Sequence, residues 1–500
     1  MTESFYLIWR NQYTRRLIRN LVCQNLVIKV DKEYLILNHQ YLALFTNKDK
    51  LDYNIRIRND NDYLDINNNR HLIDDVQLLL TSDFDFNEIH DGVHTLRLKI
   101  INTSDDDLIA TGVLPPSLTN LQLINDDRIG CPLAHHILSN LPANLQELEL
   151  GIYQNTLISP CIIPTSLTDI NSRWSNSYQD LKWLVVPPNK VYKSCKVDVD
   201  SMESLEWLKE NKWITAINIH PNILDILMFQ HQLPAHVTKV ELEIGIIQDT
   251  SFLPQTLQSL TCRYGTTFSH LAHLQVLKIT DSYQIKLEKG VLPASLQELY
   301  LNNYNHPLEI DVLPPLLTTL SLYEYDRPLC INVLPSSLTQ LYLVSFDQPL
   351  NAFVLPSKLK TLFMRKFNQP ILPRNSLPVS LTKLSLIAFK GSFDQCQPLH
   401  NLKRLQIGSL VPSLSTLLAN VKRLDLLDVE GYEEDDPSGT CLYNTSLESL
   451  HIHFHYYGGV KTLYPNTFPP TLKYLTLVNA NLKPDDVIPR GCVLLKSKYL

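Results

Sequence analysis

Between residues 290 and 371 the chain repeats one phrase four times, at 291–308, 312–329, 333–350 and 354–371. The first copy reads Val291-Leu-Pro-Ala-Ser-Leu-Gln-Glu-Leu-Tyr-Leu-Asn-Asn-Tyr-Asn-His-Pro-Leu308. The prolines Pro293, Pro314, Pro335 and Pro356 recur every 21 residues. A unit this short has no core of its own, so its apolar side must be buried against equivalent units before and after it. That condition selects a solenoid and excludes most other folds.

Residue order within one copy defines the shape of a coil. In 296–301, Leu299 and Leu301 alternate with Glu298 and Tyr300, the period of a strand with one buried face. The preceding Leu-Pro cannot lie inside a helix, because proline lacks the donor N–H and its ring clashes with the turn before it. The return segment is therefore expected to be extended or irregular. Stacking such coils sets equivalent strands about 4.8 Å apart in a parallel sheet. Leu299, Leu320, Leu341 and Leu362 are expected to form one buried column.

The strand pattern Leu-x-x-Leu-x-Leu resembles that of a leucine-rich repeat. The segment after it is more specific. Tyr304-Asn-His-Pro-Leu, Tyr325-Asp-Arg-Pro-Leu, Phe346-Asp-Gln-Pro-Leu and Phe367-Asn-Gln-Pro-Ile, each followed by a Leu-Pro, resemble the FNIP repeat. The resemblance implies a leucine-rich-repeat-like stack, mostly β, with one parallel sheet. Within it the aromatics would stack as an internal spine, Asn or Asp would bond the turn backbone, and Pro would set the bend.

Strand leucines extend the array beyond the four copies. Earlier coils are read at 93–98, 118–123, 145–150, 167–170, 214–219, 237–242, 257–260 and 274–279, with a strand at 181–186 in the irregular stretch, and later ones at 381–386, 402–407, 421–426, 447–452 and 472–477. In all, about 18 coils are expected, making a sheet on the order of 80 to 90 Å long. The rhythm breaks at 174–213, where a helix is expected over 202–211, and an acidic loop is expected at 430–439. The domain reading is a mixed capping unit at 1–70, a solenoid at 71–479 and a C-terminal cap at 480–500. Within the first unit, Phe5, Ile8, Trp9, Tyr13, Leu17 and Leu21 recur at helical spacing among arginines, which predicts an amphipathic helix over 4–22. Some FNIP-repeat proteins begin with an F-box-like module that recruits a ubiquitin-ligase adaptor. Residues 1–70 lack the Leu-Pro opening of such a module, so a cap is the first reading and an adaptor module the alternative.

Composition removes several functional classes. The 14 glycines and 30 prolines in 500 residues argue against a nucleotide-binding α/β fold, and a net charge of -7 leaves no nucleic-acid footprint. No apolar run reaches membrane-spanning length, and residues 5–9 are too short for a signal-peptide core. Nine cysteines without Cys-x-x-Cys spacing fit reduced thiols and a cytoplasmic protein. Acceptor-like triplets at Asn102 and Asn444 carry no weight without secretion.

No residue pattern supports catalysis, a cofactor or a metal. His451, His453 and His455 share one strand face, but alternate side chains stand nearly 7 Å apart, too far to share a zinc ion. Glu147 and Glu149 read as exposed strand charges, and no phosphate loop or nucleophile elbow occurs. An enzyme would require a deep polar pocket in the 174–213 insertion. The outward positions of the four copies are more informative. Glu298, Tyr300, Asn302, Tyr323, Tyr342, Phe363 and Arg365 place aromatic, amide and charged groups on the face that no core explains. They are the candidate partner-binding residues of a concave sheet. The function expected is a non-enzymatic scaffold for a protein partner, with no nucleic acid and no membrane. The alternative is the substrate-recognition subunit of a ubiquitin ligase.

Overall fold

A computed structural model describes residues 11–101, 108–125, 132–151, 157–172, 176–230, 232–242, 244–281, 286–408, 410–429, 442–454, 461–463, 468–482 and 488–497. The chain divides into two compact units, Met1–Phe229 and Gln230–Leu500. Both are parallel β-solenoids. Among the described residues no helix is long and apolar enough to cross a membrane. The acidic stretch 430–439 and His455 lie outside the described residues, as does most of the start of the predicted N-terminal helix.

Among the described residues the first unit begins with the helices α1 (Gln12–Val22), α2 (Lys32–Leu42) and α3 (Asn47–Asp52). Its main sheet orders seven parallel strands as they occur in the chain, from Val27–Lys29 to Asp169–Ser172. Two of these, Val27–Lys29 and Arg56–Asn59, precede residue 71, so the ladder already runs through the region read as a cap. Val76, Leu96, Leu121, Leu148 and Ile170 align as one buried column. The irregular stretch holds the strand Tyr192–Val199, the helix Met202–Glu210 and the strand Ile214–Ile219. Ser201 starts that helix through a capping box with Ser204, which satisfies orphan backbone donors at its first turn.

Among the described residues, charge pairs seat α1. Its Arg16 guanidinium meets Asp49 of α3 at 2.8 Å and Arg19 meets the same carboxylate at 3.5 Å. Asn20 donates to it as well. Arg16, Thr46 and Asn20 bond the charged form, so the Asp49 carboxyl titrates well below the usual carboxylate range despite its burial. Tyr13 and Leu21, expected on the packed face of an amphipathic helix, face solvent instead, at 74% and 54% exposure. A second buried pair, Lys50 Nζ to Asp74 Oδ2 at 2.8 Å, joins α3 to the sheet, and Lys50 also donates to the Leu72 carbonyl.

In the second unit thirteen described strands follow one another in a single parallel ladder, from Lys239–Leu242 to Val493–Ser497. Leu299, Leu320, Leu341 and Leu362 stand in direct register, as the repeat spacing predicts, and all are buried. After each proline the chain turns at once. Leu296, Leu317, Leu338 and Leu359 donate their N–H to the carbonyls of Pro293, Pro314, Pro335 and Pro356, each at 3.1 Å. Before each Val-Leu-Pro one residue takes the left-handed conformation, Gly290, Asp311, Asn332 and Phe353 in turn.

Behind the strands Tyr304, Tyr325, Phe346, Phe367 and Phe389 form the expected spine. Successive rings lie 6.4, 6.4, 6.3 and 5.9 Å apart, and the first three pairs are within 4° of parallel. All five are buried. Beside them runs a polar ladder. The side chains of Asn305, Asp326, Asp347 and Asn368 each accept the backbone N–H of the residue one coil further on, at 2.8 to 3.0 Å. Each Asn or Asp thereby satisfies a turn donor of its successor, and the coils lock at a fixed offset.

One register differs from the repeat alignment. By sequence Leu405 matches Leu424, yet the structure pairs Leu405 with Leu426 and Arg404 with Asp425. A slip of two residues leaves every side chain on its original face, so burial does not oppose it. It also exchanges an Arg404–Arg423 juxtaposition for an Arg404–Asp425 ion pair at 3.2 Å. The exchange relieves one like-charge juxtaposition, while Lys383 stands directly opposite Arg404 on the other side.

Candidate protein-interaction face

The outer side of the second unit's sheet is a grid, with strand number along one axis and alternate residues along the other. One column runs Lys278, Tyr300, Ser321, Tyr342, Phe363, Ser385, Gln406 and Leu427. Tyr300 is half-buried beneath its neighbours. Its hydroxyl donates to Glu298 at 2.8 Å, and the Lys278 ammonium sits 4.9 Å from its ring centroid. Burial, with the Glu298 carboxylate second, pushes the phenol up to about 12, so it is a donor at any physiological pH.

The other candidates fall into three settings. Tyr342 and Phe363 contact each other with rings 6.3 Å apart, and Tyr342 donates to Gln340 at 3.0 Å. Ser321 separates Tyr342 from Tyr300, so those two aromatics stand two strands apart, roughly 10 Å. Tyr323 lies in the turn just past the strand Thr319–Leu322, 47% exposed. Asn302 and Arg365 are exposed three coils apart, and Asn302 spends its amide on the Thr280 carbonyl at 3.1 Å. Arg365 makes no ion pair among the described residues. The seven positions therefore share one face without converging on one point. The four-copy reading did not reach Lys278, Lys383, Ser385, Arg404 and Leu427, which lie on flanking coils of the same face. Extending the column by the strand period would have reached the first four of these, whereas the slip conceals Leu427.

The first unit carries a different face. A polar trough of about 420 Å³ runs across it, lined among others by Arg97, Asn120, Gln122, Glu147, Glu149 and Asp169. Asn120 donates to Glu147, so that carboxylate serves as a cross-strand partner. His451 and His453 lie half-buried on one strand of the second unit. Among the described residues no group of three His, Cys, Asp or Glu side chains is placed to hold a metal. Cys161, Cys195, Cys262 and Cys396 are buried free thiols, and burial pushes the last three up to about 12.

The family model FNIP Repeat matches residues 283–325, 304–344, 325–366 and 346–389, the part of the chain that holds the aromatic spine. No curated protein matches the chain. Similar solved structures include CroV588, a circular leucine-rich-repeat protein (18% identity, 88% of this chain and 68% of that one, TM-score 0.36). TLR13 in complex with ssRNA13 is another (15%, 88% and 73%, TM-score 0.42). YopM from Yersinia enterocolitica is a third (19%, 83% and 81%, TM-score 0.30). The fold is a parallel β-solenoid in which the FNIP Repeat model matches within residues 283–389.

Proposed function

We propose that the chain is a non-enzymatic, cytoplasmic scaffold that binds a protein partner through the outer sheet face of its second unit. The observation that carries this reading is the run of Tyr300, Tyr323, Tyr342 and Phe363 across four adjacent coils on the outward side of the sheet, half-buried or exposed. Large amphipathic aromatics with a nearby guanidinium match the composition of interface hot spots. Buried thiols with raised pKa fit a reducing compartment. The test is in-cell crosslinking of the full chain against a variant with Tyr300, Tyr323, Tyr342 and Phe363 changed to Ser. Loss of specific crosslinked partners in the variant supports the reading, and an unchanged partner set rejects it.

A second reading, a ubiquitin-ligase substrate receptor, is favoured by the helices. Tyr34, Leu37 and Tyr41 of α2, with Leu44 just beyond it, expose an apolar stripe at helical spacing, Leu37 at 73%. Leu37→Asp with Tyr41→Asp in the full chain separates the two readings. Loss of ligase adaptor subunits alone favours the receptor, and their absence from both forms favours the scaffold.

A further inference from the structure

We infer that the outer face holds one preformed subsite, a notch above Ser385, which takes an apolar side chain of an extended acidic peptide. The inference rests on the scaffold reading and names the chemistry of its partner. In the outward column Phe363, Ser385, Gln406 and Leu427, the small serine follows a ring and leaves a gap. Its volume is about 190 Å³. Pockets for drug-sized ligands begin at roughly 300 Å³, so this gap fits a single side chain and not a cofactor. Phe363 and Leu427 supply apolar walls. The Ser385 hydroxyl donates to Gln406 at 2.8 Å, so the floor's polar groups bond each other. The register slip builds the second wall, because it sets Leu427 opposite Gln406 where the repeat alignment would set Asp425.

The rim is cationic. Lys383 and Arg404 line one end of the notch, and Arg365 lies exposed in the bend just past the end of the Phe363 strand. Arg404 is engaged by Asp425, whereas Lys383 and Arg365 make no ion pair among the described residues. Two cations thus line the notch and a third lies close in sequence to its Phe363 wall, against the one carboxylate that pairs with Arg404, in a chain whose net charge is -7. Such local excess selects an anionic partner. An extended peptide spaces alternate side chains about 7 Å apart, the same interval that separates Ser385 from Lys383 on their strand. An apolar residue in the notch therefore brings its second neighbour beside Lys383.

The test probes the full chain with an array of short peptides carrying Phe and Asp two residues apart in a Ser-Thr-Gly background, with Phe→Ser and Asp→Lys controls. Retention of the Phe-x-Asp peptides about tenfold above both controls is expected. Ser385→Trp fills the notch and removes the preference for Phe. Lys383→Glu, a solvent-exposed change, reverses the preference for Asp over Lys. Equal retention of Asp and Lys peptides, survival of the Phe preference in Ser385→Trp, or no retention at all overturns the inference. If partner crosslinking still depends on the aromatic face while the notch variants bind peptides like the parent, the subsite fails and the scaffold stands.

Discussion

The two units lay down the same parallel ladder and fill its outer face in opposite ways. In the first, the columns read Asp75, Thr95, Asn120, Glu147, Asp169 and Gln77, Arg97, Gln122, Glu149, Asn171. Neighbouring coils there hold each other through polar partners, and Asp75 is fully buried between Arg97 and Arg56. In the second, the equivalent positions carry Tyr300, Tyr342 and Phe363. Backbone pairing is indifferent to this choice, because the ladder bonds involve no side chain. The sheet therefore sets spacing, and each face's residues set what it can grip.

The contrast is open to direct attack, since all five tryptophans lie before residue 230 and report on the first unit alone. The largest effect is expected from Phe346→Ala, which removes a ring stacked on both sides and costs about 3–5 kcal/mol. Hydrogen exchange should rise across the neighbouring coils of the second unit while the tryptophan-detected urea midpoint holds, because each coil contacts only its neighbours. A tryptophan midpoint that moves equally would dissolve the distinction. Asp75→Ala is the mirror experiment. Removing one side of a buried charge cluster costs about 3 kcal/mol, and here the tryptophan midpoint should fall.

Acid sharpens the comparison further. His90 of the first unit accepts or donates at 2.7 Å to the Tyr63 hydroxyl through Nδ1, and its Nε2 is buried without a partner. Burial, then Arg70, His71 and Lys50, push its pKa from 6.5 to about 4. Between those values the unfolded chain binds a proton that the folded chain refuses. The contribution is complete above pH 6.5 and is lost as pH falls towards 4; the full shift corresponds to about 3 kcal/mol, which solvent screening of the part-exposed ring reduces to about 2 kcal/mol. His90→Gln should flatten the tryptophan-detected stability profile across that window. The smallest effect is a gain. Phe353 takes φ +61 at 68% exposure where sister coils use Gly, Asp or Asn. Left-handed backbone is costly for a bulky side chain, so Phe353→Asn should stabilise the second unit by about 1 kcal/mol, read as slower exchange in the flanking coils.

Much of this fold could be read from the chain itself, for reasons particular to each part. The Leu299 column was legible because period-two alternation has only one buried face, and the spine because a tyrosine or phenylalanine returns beside the same Asx at every coil. The slip at Leu405 was hidden by that same alternation, which is blind to shifts of two. The orientation of α1 was hidden because its counter-charge, Asp49, lies about thirty residues away, and no local pattern announces it. Among the candidate residues, their common face was legible. The gap at Ser385 was not, because it depends on which strand residue stands opposite Gln406.

The Asx ladder has a consequence for the history of such a chain. Every junction from Asn305 to Lys390 offers the same acceptor to the same donor, so excising or copying one 21-residue period rejoins ends that already fit. Length is then free to drift in whole coils by recombination, lengthening or shortening the reach of the molecule without a refolding problem to solve.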